Sequence, residues 1–407
     1  MKLVERHILT KSNPQWKTID HLCFLSKNLF NYSLYRIKQV FEETGKYYDY
    51  NKLDHELKTQ NHSAYRNLPN HTSQQILLVQ HRNCKSFFAL LKKWKKDKKS
   101  LTGCPELPYY KHKTKGRNLI VFTTNQAVIK DGYIHFPKKV NLQPIKTKVD
   151  NLQQVRIIPQ STCYVVEVVY NKEITKHENL NENNYLSIDL GVNNLAGVTT
   201  NQPGLKPFLI NGKIIKSINQ YYNKKKAELQ SSLEKNHKLY KSKRLDRLTH
   251  KRNNKINDYL HKTSHFIIEY CIEINIKNIV IGKNKNWKVE CNMGKVNNQN
   301  FVSIPFEKLI NQIAYKAELN SINVIIHEES YTSKCSSLDK EPVCKHDKYI
   351  GKRIKRGLFK YSNGLINADI NSSLNILRKV IGDGFLNPLK SLSNRGFVLN
   401  PVLTTSV

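Results

Sequence analysis

Three acidic residues stand where a carboxylate is either costly or well placed for chemistry. Asp189 interrupts the apolar run Tyr185–Gly191, and a charged group inside a core strand is unfavourable unless it is paired or bound to a cation. Asp369 begins a helical pattern, where an Asp alone is usually an N-cap or a partner of the helix dipole. Glu329 ends a further apolar run. Two metal ions about 3.5–4 Å apart need several converging carboxylates, so these acids are candidate metal ligands.

The third acid is harder to assign, because the strand expected beside Asp189 ends in Gly282 rather than in an acid. The next strand outward ends with both Glu328 and Glu329. Strands lie about 4.8 Å apart, so a Glu two strands away could reach over a glycine to the same volume. Side chains alternate in direction, so only one of the two glutamates can point there. Spacing does not decide which one, and Glu290 in the loop after Gly282 ranks lower.

The elements that must position these acids follow an α/β order. Three strands with hairpin turns come first, between about 185 and 210, and a Lys-rich helical hairpin follows at about 214–272. A strand, a helix, a strand and a last helix at Asp369–Val380 complete the pattern. This is the order of an RNase H-like domain.

The N-terminal half has a different pattern, and the chain is predicted to be a multi-domain protein with α/β and β parts. Short β-rich segments and an N-terminal strand predict a small β-barrel from residues 1–12 and 103–174. Helical periodicity predicts a helical lobe inserted at 13–102, with its second helix beginning at a Thr72-Ser73 cap. The RNase H-like domain is predicted at 175–383, with an insertion at 330–364. A C-terminal tail follows at 384–407.

The charge of the chain predicts a polyanionic partner. Lys and Arg number 67 against 32 Asp and Glu, a net charge of +35. The sequence contains no run of about 18 apolar residues, so no membrane span is predicted. The N-terminus lacks an apolar signal core, so export is not expected. Eight scattered cysteines suit reduced thiols in a cytoplasm. Each basic run could instead be a solvated surface that contacts no nucleic acid. The candidates for nucleic-acid contact are Lys92, Lys93, Lys95, Lys96, Lys111, Lys113, Arg117, Lys334, Arg353 and Arg356.

Three segments together carry a resemblance to a known family. They are Ser187–Asn193, Tyr331–Lys334 and Asn367–Ile376. In order and spacing the chain resembles the TnpB (OrfB) proteins of bacterial insertion sequences, RNA-guided DNA endonucleases related to type V CRISPR effectors. The resemblance implies a wedge barrel with a recognition lobe and a RuvC nuclease domain. It also implies a bacterial, cytoplasmic protein that associates with the nucleoid when bound to DNA.

The chain departs from this family in two places. The usual second RuvC glutamate is replaced by Gly282, but a subset of TnpB proteins and their Fanzor relatives carry that Glu just before the Thr-Ser-Lys motif. By that resemblance Glu329 is the catalytic choice, with Asp189 and Asp369, for two Mg²⁺ (or Mn²⁺) ions. The zinc ribbon is also incomplete: a closed zinc site needs four ligands, and the residual candidates are Cys335, Cys344 and His346. We therefore expect a degenerate, zinc-free insertion that contacts nucleic acid, with Phe359 packed in place of the metal.

The leading hypothesis is a transposon-encoded endonuclease that cuts double-stranded target DNA under direction of a guide RNA from its own element. Guide pairing would supply most of the sequence specificity. One alternative is a nuclease-dead RNA-guided repressor, which would keep the charge and lose acids. Another is a transposase that acts directly on DNA ends. The oligomeric state is left open.

Overall fold

The computed structural model describes residues 1–284, 294–387 and 396–404, which form two compact units, Met1–Lys172 and Glu173–Val407. Glu290, the loop alternative for the third acid, lies outside the described residues. None of the helices in the described ranges is both long and apolar enough to cross a membrane.

The first unit combines helices with two antiparallel sheets. Its helices are α1 (Trp16–Thr44), α2 (Tyr50–Thr59), α3 (Ser63–Arg66) and α4 (Asn70–Lys96). Its strands are β1 (Lys2–Leu9), β2 (Ile120–Thr123), β3 (Val128–Lys130), β4 (Tyr133–His135), β5 (Ile145–Lys146), β6 (Leu152–Pro159) and β7 (Tyr164–Asn171). One sheet has the order β1-β7-β6-β2 and the other β3-β4-β5. Apolar residues from helices and sheets share one core, for example Leu29, Ile76, Phe122 and Val166.

Tyr133–His135 pairs in the smaller sheet, where Asp131 and Gly132 adopt positive φ in the tight turn between β3 and β4. One local expectation for this unit differs from the structure. The second long helix begins at Asn70 rather than at the predicted cap. The hydroxyls of Thr72 and Ser73 bond Gln126 Oε1 and Tyr65 O instead.

The second unit is built on a mixed six-stranded sheet. Its strands are β8 (Asn181–Leu190), β9 (Asn194–Thr200), β10 (Phe208–Asn211), β11 (Ile276–Gly282), β12 (Asn323–His327) and, from the C-terminal tail, β16 (Val402–Thr404). The order is β12-β11-β8-β9-β10-β16. The β8-β9-β10 pairs are antiparallel, and β11, β12 and β16 pair in parallel with their neighbours.

Helices pack on this sheet and a second, smaller sheet follows it. The helices are α5 (Lys213–His237), α6 (Lys243–Glu273), α7 (Lys295–Ser303), α8 (Phe306–Leu319) and α9 (Ala368–Ile381). The smaller sheet contains β13 (Lys352–Lys355), β14 (Leu358–Tyr361) and β15 (Gly364–Asn367). Leu186, Ile188 and Ile281 belong to the core with α6 and α8, whereas Val280 packs with Ile376 of α9. The alternation of the strands therefore turns Asp189 and Gly282 towards the α9 face.

Candidate active site

Asp189 and Asp369 meet on the α9 face of the large sheet. Asp189 lies opposite Gly197 in the β8–β9 pair. A Cβ atom on Gly197 would lie 3.2 Å from Asp369 Cβ, so the glycine allows the first turn of α9 to approach the sheet closely. Asn367 caps α9, because its Oδ1 accepts hydrogen bonds from the backbone N–H groups of Asp369 (3.0 Å) and Ile370 (3.3 Å). The cap fixes the position of the Asp369 side chain.

Asp369 has two polar neighbours. Asn194 Nδ2 donates to its Oδ2 at 2.6 Å. The Nη2 atom of Arg353, from β13, lies 3.8 Å from its Oδ1. Arg353, a sequence candidate for nucleic-acid contact, is thus placed beside the acids. Sequence reasoning missed Asn194, whose only signal is its position in the turn after Asp189.

Glu329 fills the space that Gly282 leaves open. A Cβ atom on Gly282 would lie 2.6 Å from Glu329 Oε2 and 2.5 Å from Ile376 Cδ1. Glu328 points elsewhere: its exposed carboxylate accepts a hydrogen bond from Lys379 Nζ at 3.0 Å. Of the two adjacent glutamates, the structure brings only Glu329 over Gly282.

A tight turn after β12 holds the backbone of Glu329. Its N–H donates to Asn284 Oδ1 at 3.0 Å, and its carbonyl accepts from both the N–H (3.3 Å) and the Oγ1 (2.8 Å) of Thr332. Tyr331 within this turn adopts a φ of +66°. Asn284 is a second residue that sequence reasoning missed, because nothing in its surroundings marks it.

The three carboxylates interact electrostatically. Burial raises the pKa of Asp189 well above its usual range, and the charges of Asp369 and Glu329 raise it further, with Arg353 opposing. Burial, with a contribution from Glu328, raises the pKa of Glu329 to about 7, and Lys379 opposes this. Asp189 is therefore near enough to Asp369 and Glu329 to be repelled by their charges, and Arg353 and Lys379 offset only part of the rise in pKa.

The donor set fits a divalent metal ion. Glu329 Oε2 is buried and accepts no hydrogen bond among the described residues, and carboxylate oxygens are the ligands that Mg²⁺ prefers. Within the described ranges, no three His, Cys, Asp or Glu side chains are already gathered around one ion position.

A buried cluster of hydroxyls joins α9 to the sheet beneath the acids. Ser187 Oγ lies 2.7 Å from Thr199 Oγ1 and 2.9 Å from Ser373 Oγ, and the last two atoms are 3.0 Å apart. The cluster fixes α9 relative to β8 and β9, the elements that carry Asp369 and Asp189. Hydroxyls at these positions carry no sequence motif.

The insertion is organised by a buried carboxylate. Glu341 is 2% exposed and accepts hydrogen bonds from the N–H groups of Ser336 (2.6 Å) and Ile350 (2.8 Å). Phe359 packs on Gly351, where a Cβ atom would overlap its ring. The residual zinc candidates are split: Cys335 Sγ faces the carbonyl of Cys344 at 3.5 Å, whereas the Cys344 thiol lies 3.5 Å from His346 Nε2.

The basic candidates have different surroundings. Arg117 is not a free phosphate-binding group: its Nε and Nη2 form a double ion pair with Asp20, at 2.9 and 2.6 Å. Lys111 lies with its ammonium 5.1 Å from the centre of the Phe30 ring, and burial lowers its pKa. The candidates that are exposed without an ion pair among the described residues are Lys92, Lys93, Lys95, Lys96, Lys113, Lys334 and Arg356.

Two family models match the second half of the chain, and together they contain all three acids. Residues 161–288 match the model described as "Probable transposase" (OrfB_IS605). Residues 306–376 match the model described as "Cas12f1-like, TNB domain". These two regions are therefore similar to the transposase and Cas12f1-like families that the models describe. The matches confirm the resemblance to TnpB-like proteins that the sequence shows.

One solved structure supports the fold, and a second is reported with it. The chain is similar to Cas12f1 in a cryo-EM structure of a Cas12f1–sgRNA–target DNA complex, with a TM-score of 0.56 and 14% sequence identity. The match covers 89% of this chain and 81% of the Cas12f1 chain. A second match is CasPhi-2 (Cas12j) bound to crRNA, with a TM-score of 0.45 and 11% sequence identity. That match covers 95% of this chain and 98% of the CasPhi-2 chain. No curated protein matches. The Cas12f1 match establishes a shared mixed α/β, multi-domain fold.

Proposed function

We propose that this protein is an RNA-guided DNA endonuclease that hydrolyses phosphodiester bonds at a RuvC-type site. The observation that carries the proposal is the placement of Glu329 Oε2 over Gly282, which replaces the missing acid of the neighbouring strand. The strand order β10-β9-β8-β11-β12 is that of an RNase H-like domain, and it supports the same proposal. A nuclease-dead repressor would have no reason to retain a third buried carboxylate here.

Asp189, Glu329 and Asp369 would hold two Mg²⁺ or Mn²⁺ ions. Bound divalent ions lower the pKa of a water molecule and stabilise the leaving oxygen of an in-line displacement. The other residues prepare the acids for this. Asn194 orients Asp369, and Lys379 draws Glu328 away from the site. Because the pKa values of Asp189 and Glu329 are raised, binding of a cation would displace protons from these carboxyl groups.

The partners that we propose are a guide RNA from the same element and a double-stranded DNA target. The net charge of +35 suits a long polyanion, since each phosphate carries one charge. The solved Cas12f1 complex of similar fold contains an sgRNA and target DNA. In this proposal the first unit supplies the wedge barrel and recognition lobe, and the basic insertion contacts the target near the acids. Zinc has no part in it.

The test begins with purification of the protein from cells that carry its native flanking DNA. We expect one abundant RNA that ends in a segment read from the neighbouring DNA. This complex should cut a matched duplex with Mg²⁺, and Asp189→Ala should abolish cutting while guide-dependent DNA binding remains. Binding without cutting by the unaltered protein would favour the repressor. The absence of a defined RNA would favour a transposase that binds DNA ends.

A further inference from the structure

A basic cavity lies between α5 and α6, and its lining residues take no part in the candidate active site. Its volume is about 330 Å³. Tyr221 and Tyr222 of α5 line it from one side, and Lys251, Arg252 and Lys255 of α6 line it from the other. Each charged residue of the lining is therefore a cation.

Arg252 is held rigidly by neutral groups. Its Nε donates to Asn219 Oδ1 at 2.8 Å, its Nη2 to the carbonyl of Ser303 at 2.9 Å and its Nη1 to Asn253 Oδ1 at 2.9 Å. No carboxylate among the described residues pairs with it. A fixed, half-buried guanidinium without a counter-charge creates a positive potential that favours an anion in the cavity.

The nearby acids do not cancel this charge. On α5, Glu228 is paired with Lys225 at 2.8 Å, and on α6, Asp258 is paired with Lys262 at 3.4 Å. Lys251 and Lys255 stand one helical turn apart and are exposed, with no ion pair among the described residues. Both ammonium groups are therefore available to a phosphate.

The two tyrosines have separate roles. The hydroxyl of Tyr222 is bonded to Thr249 Oγ1 at 3.1 Å, and its ring centre lies 5.6 Å from the Arg252 guanidinium. Tyr221 is 62% exposed. An exposed ring beside lysines is the arrangement with which proteins bind single strands, with bases on rings and phosphates on cations.

We propose that this cavity binds one nucleotide of a single-stranded nucleic acid, with the base on the Tyr221 ring and the adjacent phosphate on Lys251 and Lys255. The volume lies at the lower end of the range of about 300–1,000 Å³ for small-ligand sites, so it admits a nucleotide and excludes a duplex. An RNA strand and a displaced DNA strand share this chemistry. The site does not depend on nuclease activity, and cleavage is not its readout.

Photochemical cross-linking of the full chain tests the stacking contact. The probes are oligonucleotides of about 12 nucleotides, within the size of one single-strand site, which carry 5-iodouridine in RNA or 5-iododeoxyuridine in DNA. Mass spectrometry should locate a cross-link at Tyr221, and Tyr221→Leu should lose it. Tyr240→Leu, which alters an equally exposed tyrosine outside the cavity lining, should keep it. Cross-linking to RNA alone would assign the cavity to an RNA strand, and cross-linking to DNA alone to a DNA strand; under the proposed function these are the guide and the displaced strand.

The salt dependence of binding tests the phosphate contact. Each lost contact with a single strand lowers the slope of log K against log salt by about 0.7. We therefore expect Lys251→Gln combined with Lys255→Gln to lower the slope by about 0.7–1.4, and Lys262→Gln, in the existing pair with Asp258, to leave it nearly unchanged. A failure of both probes to cross-link at Tyr221, or an unchanged slope in the double variant, would overturn the proposal.

Discussion

Gly282 and Glu329 are complementary residues, because the first leaves the space that the second occupies. Both the Glu329 carboxylate and the end of the Ile376 side chain lie where a Cβ of residue 282 would be. A glutamate in the turn after β12 therefore reaches over Gly282 without any rearrangement of the sheet. Reasoning from residues alone left Glu328 and Glu329 open, and the family resemblance favoured Glu329, the residue that the structure places there.

The two adjacent glutamates provide a matched pair of variants. Glu329→Gln should lower the cleavage rate by about 10²-fold or more, because it removes a charged metal ligand while it keeps the side-chain volume. Glu328→Gln should leave the rate within about twofold, because it loses an exposed pair with Lys379. Single-turnover cleavage of a matched duplex measures both rates. A larger loss of cleavage in the Glu328 variant would show that the third ligand is Glu328 and that its assignment to Glu329 is wrong.

Gly282→Ala separates stability from activity at the same position. The three atoms nearest to the added methyl group belong to the side chains of Glu329 and Ile376. We expect the free energy of unfolding to fall by about 1–3 kcal/mol, while cleavage falls by at least about tenfold, because the carboxylate is displaced. Urea unfolding and the cleavage assay measure the two effects. Full activity in this variant would show that the position of Glu329 is not critical.

At the scale of elements, α9 connects the acids to the insertion. Its Ser373 belongs to the hydroxyl cluster on the sheet. Its Asn375 donates hydrogen bonds to the carbonyls of Thr332 (2.8 Å) and Cys335 (2.7 Å). Thr332 in turn bonds the carbonyl of Glu329. One helix therefore positions Asp369 directly and Glu329 through the Thr332 turn.

The insertion should be stable without a metal ion. Elemental analysis should find well under one zinc per chain, and a chelator should leave the melting temperature unchanged. Glu341→Ala should lower the free energy of unfolding by about 1–3 kcal/mol, because it leaves the buried N–H of Ser336 and the partly buried N–H of Ile350 without acceptors. Cys344→Ser, at an exposed thiol, should change it by less than about 0.5 kcal/mol. Stoichiometric zinc, or unfolding by the chelator, would contradict this account.

The sequence predicted the long, strongly patterned elements and missed some of the short ones. The strands at Asn181–Leu190 and Ile276–Gly282 and the last helix agree with their apolar patterns. The β13-β14-β15 sheet was missed because Lys and Arg dominate its exposed positions and hide the alternation. The three-residue strand Val402–Thr404 is too short for any periodicity and is defined by its pairing with β10.

Individual contacts were less predictable than elements. Arg117 looked like part of a basic surface, but its partner Asp20 lies almost a hundred positions away in sequence, and no local pattern indicates that pair. Asp189 was found because a charge in an apolar strand is conspicuous, whereas Asp369 and Glu329 were assigned from the order of the elements and the family resemblance. The residues that orient them, Asn194 and Asn284, were not found, because uncharged side chains in turns are common.

At the scale of the whole molecule, the acids of the empty site should lower stability at neutral pH. A carboxyl whose pKa is raised to about 7 from its usual 4.5 binds more protons in the folded than in the unfolded state. Its contribution to stability is present below about pH 4.5 and is lost as the pH rises to 7. Glu329→Gln should therefore raise the free energy of unfolding at pH 8 by about 1–2 kcal/mol, with allowance for solvent screening.

Urea unfolding without divalent ions at pH 5 and pH 8 measures this effect. The advantage of the Glu329→Gln variant over the unaltered chain should be larger at pH 8, and Glu328→Gln should show no such change. Addition of Mg²⁺ at pH 8 should stabilise the unaltered chain more than the variant. A variant that is less stable than the unaltered chain at pH 8 would show that the charge of Glu329 is compensated in the empty site.

The glycine at position 282 also affects how related chains are sorted. A check for catalytic acids that proceeds column by column through aligned sequences would find glycine here and would classify the chain as inactive. The better criterion is whether a carboxylate oxygen lies over position 282, whichever segment of the chain supplies it. Chains that have exchanged an acid for a glycine on one strand therefore need their outer neighbour inspected before they are counted as dead enzymes.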